Sequence, residues 1–258
     1  MNLKRCLLGL TIFAVAVFGL AGCGTGEKTA SNVWRVGTDA SYAPFGFQDE
    51  KSHEYVGFDI DIIRAIAETQ GHEVAIKNLN FDGLIPALQT GDLDIAISDM
   101  TINEERAKTV DFTDSYYKAG LSMVVRADET RINSFDDLEG LRVGVTIGST
   151  GAEAARGIPN ADLHEFSTIS DAFLDLYNGG VDVVVNDTPV DEYYVENKGK
   201  GIAKVVPAQI NQEDLGIAVK KGNAELLGQL NAGLRKIKEN GKYDEIYRKW
   251  FGKEPPKE

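Results

Sequence analysis

The sequence predicts an α/β fold of parallel strands linked by helical crossovers, and three observations lead to it. Strand-like runs alternate with helical stripes: Trp34 to Thr38, Phe58 to Thr69, Val74 to Ile76, Phe81 to Leu88 and Leu93 to Ile97. Strand, helix, strand at this spacing argues for parallel pairing with right-handed crossovers. Asp39, Phe81 and the Ser98-to-Arg106 segment all fall just after predicted strands, and Asp187 ends another. They would crowd one edge, the carboxyl end of the sheet, where ligands of such folds sit. A second unit starts afresh at Ser134, so the length suits one large domain or two lobes.

Lys4 and Arg5 precede an apolar run from Cys6 to Phe18, and Leu20-Ala21-Gly22-Cys23 closes it. The run is too short for a stable span and reads as a secretory signal. Its end resembles the lipobox of bacterial lipoproteins, which implies cleavage before Cys23 and lipidation of that residue. Residues 1–22 are thus expected to be the signal peptide and residues 23–32 a polar tether. Removing 22 of the 258 residues leaves 236, and loss of Lys4 and Arg5 takes the formal charge from −13 to −15. So acidic a body should repel nucleic acid and anionic lipid. The two cysteines are Cys6, lost with the signal, and Cys23, the expected anchor, so no disulfide is expected in the mature chain.

The strand Trp34–Thr38 leads into the loop Asp39 to Phe45, with a carboxylate and two aromatics at its tip. Ile60, Ile63, Ile66 and Ala67 form a helical stripe that Gly71 ends. Asp59 and Asp61 stand in its first turn, where the helix dipole suffices to account for them. Phe81 opens a short helix that ends near Gly91, and Leu93–Ile97 returns as a buried strand. The stretch Ser98 to Arg106 then leaves the sheet edge with hydroxyls at Ser98 and Thr101, an unpaired carboxylate at Asp99 and a guanidinium at Arg106 in the first turn of a helix. That is the chemistry of a carboxylate clamp, because a guanidinium offers a planar fork to both oxygens.

Leu121–Val125 is the next strand, Ser134 caps a helix, and Arg142–Val145 is a strand. Gly148-Ser149-Thr150-Gly151 opens a further helix with exposed amides that suit an anion. It lacks the lysine of a P-loop and the spacing of a nucleophile elbow. Val181–Val185 is a buried strand ending at Asn186-Asp187-Thr188-Pro189, and Gly216–Val219 is the last strand. Asn223 caps an amphipathic helix, and a Tyr/Trp-rich terminal helix follows. The three histidines, His53, His72 and His164, lie in turns and a polar connection away from these motifs, and no HExxH or CxxC spacing occurs, so neither metal nor cofactor is expected.

In order and spacing, Gly37-Thr38-Asp39 with Tyr42-Ala43-Pro44-Phe45, Val56-Gly57-Phe58-Asp59, Phe81 to Leu88, Thr101 to Arg106, Asp111-Phe112 and Tyr243 to Gly252 resemble the amino-acid-binding proteins of ABC importers, solute-binding protein family 3, over residues 33 to 253. The resemblance implies a two-lobed, type II periplasmic-binding-protein-like fold with two hinge strands. Lobe 1 would comprise residues 33–117 and 216–258, and lobe 2 residues 118–215, with hinge strands near Lys118–Leu121 and Glu213–Leu215. It also implies a monomer that closes on an amino acid and presents it to permease subunits, held at the extracytoplasmic face by its lipid. Carried over by position, Arg106 would clamp the α-carboxylate with Thr101 and the Thr150 amide. Asp187 would accept the α-ammonium with Ser98, Tyr42 and Phe81 would wall the side chain, and Asp39 would meet its polar end.

Glutamine-binding relatives often carry Gly where this chain has Asp99, and a basic residue where it has Thr146. A zwitterion satisfies Arg106 and Asp187, which leaves Asp39 and Asp99 to be compensated by a cationic side chain. Arginine, lysine, histidine or ornithine is therefore expected, with glutamine second. The same fold also hosts enzymes such as cyclohexadienyl dehydratases and freestanding sensors. For an enzyme the spare cleft carboxylate would be Asp99.

Overall fold

The computed structural model describes residues 32–256, apart from the side chains of 207–211. The expected signal peptide, Cys23 and all but the last residue of the tether lie outside the described residues. Strand β1 (Val33–Thr38) leads to a small antiparallel sheet of β2 (Ser41–Tyr42), β3 (Gly46–Gln48) and β4 (Tyr55–Val56), then α1 (Phe58–Gln70), β5 (Glu73–Asn78), α2 (Phe81–Thr90) and β6 (Ile95–Ala96). Next come α3 (Glu104–Ala107), β7 (Val110–Phe112), the long β8 (Tyr117–Arg126), β9 (Arg142–Thr146), α4 (Thr150–Arg156), β10 (Asp162–Phe166), α5 (Ile169–Asn178) and β11 (Val183–Asp187). The chain closes with α6 (Thr188–Asn197), the long β12 (Ala203–Leu215), β13 (Ala218–Lys220), α7 (Ala224–Glu239) and α8 (Lys242–Phe251).

The first five-stranded sheet runs β5-β1-β6-β13-β7, and the second runs β10-β9-β11-β8-β12. Strand β1 pairs in parallel with β5 and β6, and β9 with β10 and β11, as the crossovers predict. Asp39 follows β1, Ser98 follows β6 by two residues, and Asp187 ends β11, so polar residues do collect at the strands' carboxyl ends.

Strands β8 and β12 pair antiparallel along their length, Ala203 opposite Arg126 and Leu215 opposite Tyr117. The register shifts twice, between Val206 and Ile210 and between Ile210 and Glu213, and such shifts bend a ladder. The Ser98–Arg106 stretch is tied to the end of β12: the Ile102 N–H donates to Asp214 O (2.8 Å) and the Gly216 N–H to Met100 O (3.0 Å).

An aromatic cluster seats the terminal helix. Phe58 of α1 meets Phe251 of α8 at 5.1 Å between centroids, and Tyr117 at the start of β8 stacks on Tyr247 at 5.7 Å. Such rings bury large apolar areas and add roughly 0.5–1.5 kcal/mol per pair beyond burial. Gly57, at φ 141°, is where the chain turns into α1; a Cβ there would lie 2.0 Å from Phe45 O, so only glycine fits.

Candidate functional site

Tyr42, Phe81, Asp99, Thr101, Arg106, Thr146, Ser149, Thr150 and Asp187 line a tight pocket with about 10 Å³ of free space. Seven of the nine residues expected to hold a ligand are among them. Asp39 and Ser98 are not. The Asp39 carboxylate is held by its own surroundings: Oδ1 accepts from Ser41 N–H (3.0 Å) and Oγ (2.7 Å), and Oδ2 from the Phe81 N–H at the start of α2 (3.2 Å). Ser98 Oγ accepts from the Asp39 N–H (2.9 Å). Both residues brace the β1–β2 turn and α2 behind the pocket wall.

Arg106 is buried in α3, where Asn103 caps the helix by accepting from the Arg106 N–H (2.8 Å). Its guanidinium lies 5.1 Å from the Phe81 ring centroid. One arm donates to Thr101 O (2.8 Å) and the other to Gly148 O (3.0 Å), which ties the Ser98–Arg106 stretch to the loop before α4. A guanidinium has five N–H donors, so the fork could also meet an anion with those not used in these two bonds. Thr101 and Thr150 face a residue that sequence reasoning took only as part of a hinge. Glu213 Oε2 accepts from Thr101 Oγ1 (2.6 Å) and from Thr150 Oγ1 (3.0 Å), so one carboxylate oxygen on β12 gathers a hydroxyl from each side of the pocket.

Tyr42 reaches Asp187 Oδ2 through its hydroxyl (3.0 Å), with Asn186 Oδ1 alongside. Asp187 Oδ1 has no partner among the described residues. Burial and the nearby Glu213 raise the Asp187 carboxyl to about 7, while Tyr42 and Arg106 pull it down. Asp99 is 4 % exposed, and neither of its oxygens has a partner among the described residues. Burial, then Asp187, Asp59 and Glu213, hold its carboxyl well above the usual carboxylate range, with Arg106 opposing. Four carboxylates, Asp59, Asp99, Asp187 and Glu213, thus lie in or behind a pocket whose described lining holds one cation, Arg106. Such a site lacks positive charge.

Asp59 departs from the dipole role expected for it. It is fully buried, with Oδ2 accepting the Asp99 N–H and Oδ1 the Tyr116 hydroxyl, each at 2.8 Å, and burial raises it to about 7. Asp61 faces outward to Lys249 (2.6 Å) and Trp250 (2.8 Å). Thr146, singled out in the sequence for its neutral hydroxyl, lines the pocket with Oγ1 unpartnered among the described residues. The described residues hold no cluster of His, Cys, Asp and Glu that could ligate a metal, and none of their helices is long and apolar enough to cross a membrane.

Known proteins share this architecture. The chain is 35% identical to the probable histidine-binding protein of Neisseria gonorrhoeae, over 98% of both chains. It is 35% identical to the ABC transporter glutamine-binding protein GlnH of Bacillus subtilis, over 95% of this chain and 96% of that one. A solved structure of an ancestral arginine-binding protein bound to arginine superposes with a TM-score of 0.83 at 44% identity, covering 86% of this chain and 99% of the other. A family model for bacterial extracellular solute-binding proteins, family 3, matches residues 34–253, and the chain belongs to that family.

Proposed function

We propose that this chain captures a basic amino acid, arginine, lysine or histidine, outside the cytoplasm and delivers it to the permease of an ABC importer. The observation that carries the ligand preference is Asp99, a buried carboxylate facing the pocket with neither oxygen partnered among the described residues. In this reading Arg106 takes the α-carboxylate, Asp187, steadied by Tyr42, takes the α-ammonium, and Asp99 meets the side-chain cation between Tyr42 and Phe81. Thr101 and Thr150 close the pocket through Glu213. Asp39 and Ser98 act from behind, by bracing the loop that carries Tyr42 and the helix that starts at Phe81. The relatives are named for histidine, glutamine and arginine, and the surplus of carboxylates favours the charged ligands among them. The chain is a binding protein rather than an enzyme.

The proposed division is the one expected from the sequence, with residues 33–117 and 216–258 as lobe 1 and 118–215 as lobe 2, swinging about β8 and β12. The register shifts in β12 support this as the bending place. The protein acts as a monomer, cleaved before Cys23 and lipidated there, with residues 23–32 as the tether. Replacing Cys23 by Ala should release it from membranes, and retention would refute the anchor.

Calorimetric titration of the ligand-stripped protein with arginine, lysine, histidine, glutamine and glutamate tests the ligand assignment. Tight binding of the cationic ligands is expected. A preference for glutamine, the second reading and the one supported by the Bacillus relative, would retire Asp99 as a charge reader. Silence with all five would refute amino-acid capture.

A further inference from the structure

We propose that Asp59 is a positioning residue that sets the preference for cationic ligands by holding Asp99 in a left-handed backbone conformation with its carboxylate turned into the pocket. The inference rests on the amino-acid-binding reading and adds a residue outside the pocket lining. Asp99 stands at φ 48°, a conformation that an L side chain other than Asn or Asp rarely adopts and that glycine takes freely. What holds it there is visible: the Asp99 N–H donates to Asp59 Oδ2 at 2.8 Å. Asp59 is fixed in turn by the Tyr116 hydroxyl on Oδ1 (2.8 Å), and Tyr116 O accepts from the Tyr243 hydroxyl (2.7 Å).

The arrangement is unfavourable unless it serves something. Asp59 is 0 % exposed and carries no ion-pair partner among the described residues, and it stands behind a second buried acid whose own oxygens are unpartnered there. A backbone needing only the left-handed turn would be satisfied by glycine at position 99. An acid at this position gains a purpose when its side chain must point one way, and the Asp59 contact supplies that constraint. The charges acting on Asp99 are those of Asp187, Asp59, Glu213 and Arg106, of which Asp187 and Arg106 line the pocket with it.

The test is a double-mutant cycle read as the ratio of arginine to glutamine affinity in the purified protein, with circular dichroism as the check on folding. Asp99→Gly suits the backbone and deletes the carboxylate, and should lower the ratio at least tenfold. Asp59→Ala should lower it to the same level, and should lower it no further in the Asp99→Gly background. Asp59→Asn, which keeps an acceptor for the Asp99 N–H, should hold the ratio within threefold of the native value. Should Asp59→Ala fail to fold, Asp59→Ser takes its place in the cycle.

An unchanged ratio in the Ala or Ser variant overturns the inference. So does an equal loss in Asp59→Asn, or a loss that persists when residue 99 is glycine. A native protein that binds no amino acid overturns the parent reading and the inference with it, whereas native binding with an unmoved ratio overturns the inference alone.

Discussion

Lowering the pH from 8 to 5 should weaken arginine binding about a hundredfold. The expectation comes from Asp187, whose carboxyl sits at about 7 because burial and Glu213 disfavour its charged form more than Tyr42 and Arg106 favour it. Arginine's guanidinium keeps its charge throughout this range. If Asp187 takes the α-ammonium as proposed, the ligand requires the ionised acid, so below the midpoint each pH unit should cost about tenfold, or about 1.4 kcal/mol, in displacing the proton. Two units below a midpoint of about 7 therefore cost roughly 2.7 kcal/mol. Asp99, pushed up by burial and by Asp187, Asp59 and Glu213, can only steepen the fall. Calorimetry at several pH values measures the slope. Repetition at pH 6 in two buffers of different ionisation enthalpy measures the protons released on binding. An arginine affinity constant within threefold from pH 8 to pH 5, with heats independent of buffer, would refute the acidic-pocket reasoning.

Further outcomes follow from the same groups. Tyr42→Phe deletes a hydrogen bond that lowers Asp187, so the pH midpoint of arginine affinity should move above 7, and an unmoved midpoint would separate the two residues. Glu213→Gln keeps an acceptor for Thr101 and Thr150 but removes a charge that raises Asp187, so the midpoint should move the other way. Arg106→Ala leaves a buried ligand carboxylate unpaired, a loss of roughly 2–5 kcal/mol or at least thirtyfold in affinity; retained affinity would exclude the clamp. Burial raises the Asp59 and Asp187 carboxyls to about 7, against an ordinary value of 3.8. Raised acids hold extra protons when folded, so their stabilising effect at low pH is lost as pH rises from about 4 through 7. The ligand-free protein should accordingly melt at a lower temperature at pH 8 than at pH 5, and the reverse order would contradict the burial of these acids.

The fold was legible where its signals are local. Apolar alternation found β1, β6 and β9, and Asn223 and Ser134 marked helical starts that the structure keeps, the latter as a single turn of 3-10 helix over Phe135–Leu138. Helix α5 carries Ile169, Ala172, Phe173 and Leu176 on its buried face, a helical spacing that the strand-end motifs overshadow. Strand β12 is less legible because its ladder is interrupted by two register shifts and its sequence, from Ala203 to Leu215, mixes apolar and charged residues without a clean period.

The site divides in the same way. Arg106, Asp99 and Asp187 stand at or shortly beyond strand ends, and their place in the sequence alone picks them out. Glu213 sits late in a strand and becomes part of the site only when β12 brings it beside Thr101 and Thr150, which are 112 and 63 residues away. Asp59 shares its helical turn with an outward-facing Asp61, and nothing in the local sequence separates an acid that serves the helix dipole from one buried against another acid's amide.

If the two proposed lobes close, these acids would place part of the specificity in closure itself. Tyr42 is joined to Asp187 and Arg106 to Gly148, and in the proposed division such contacts would shut the pocket while bringing Asp99 and Asp187 around it. On that reading closing would concentrate negative charge as far as the acids are ionised and so would disfavour the closed state until a cation enters, since a ligand shifts such an equilibrium only by its differential affinity for the two states. A cationic ligand would then interact with the assembled acids and favour closure strongly, whereas a neutral one of similar shape would gain only the proposed clamp and walls. Glutamine should therefore compact the protein less than arginine at equal occupancy in small-angle scattering, and raising the pH from 6 to 8 should widen the gap as the acids ionise. Equal compaction by the two ligands at both pH values would place the discrimination in direct contacts alone.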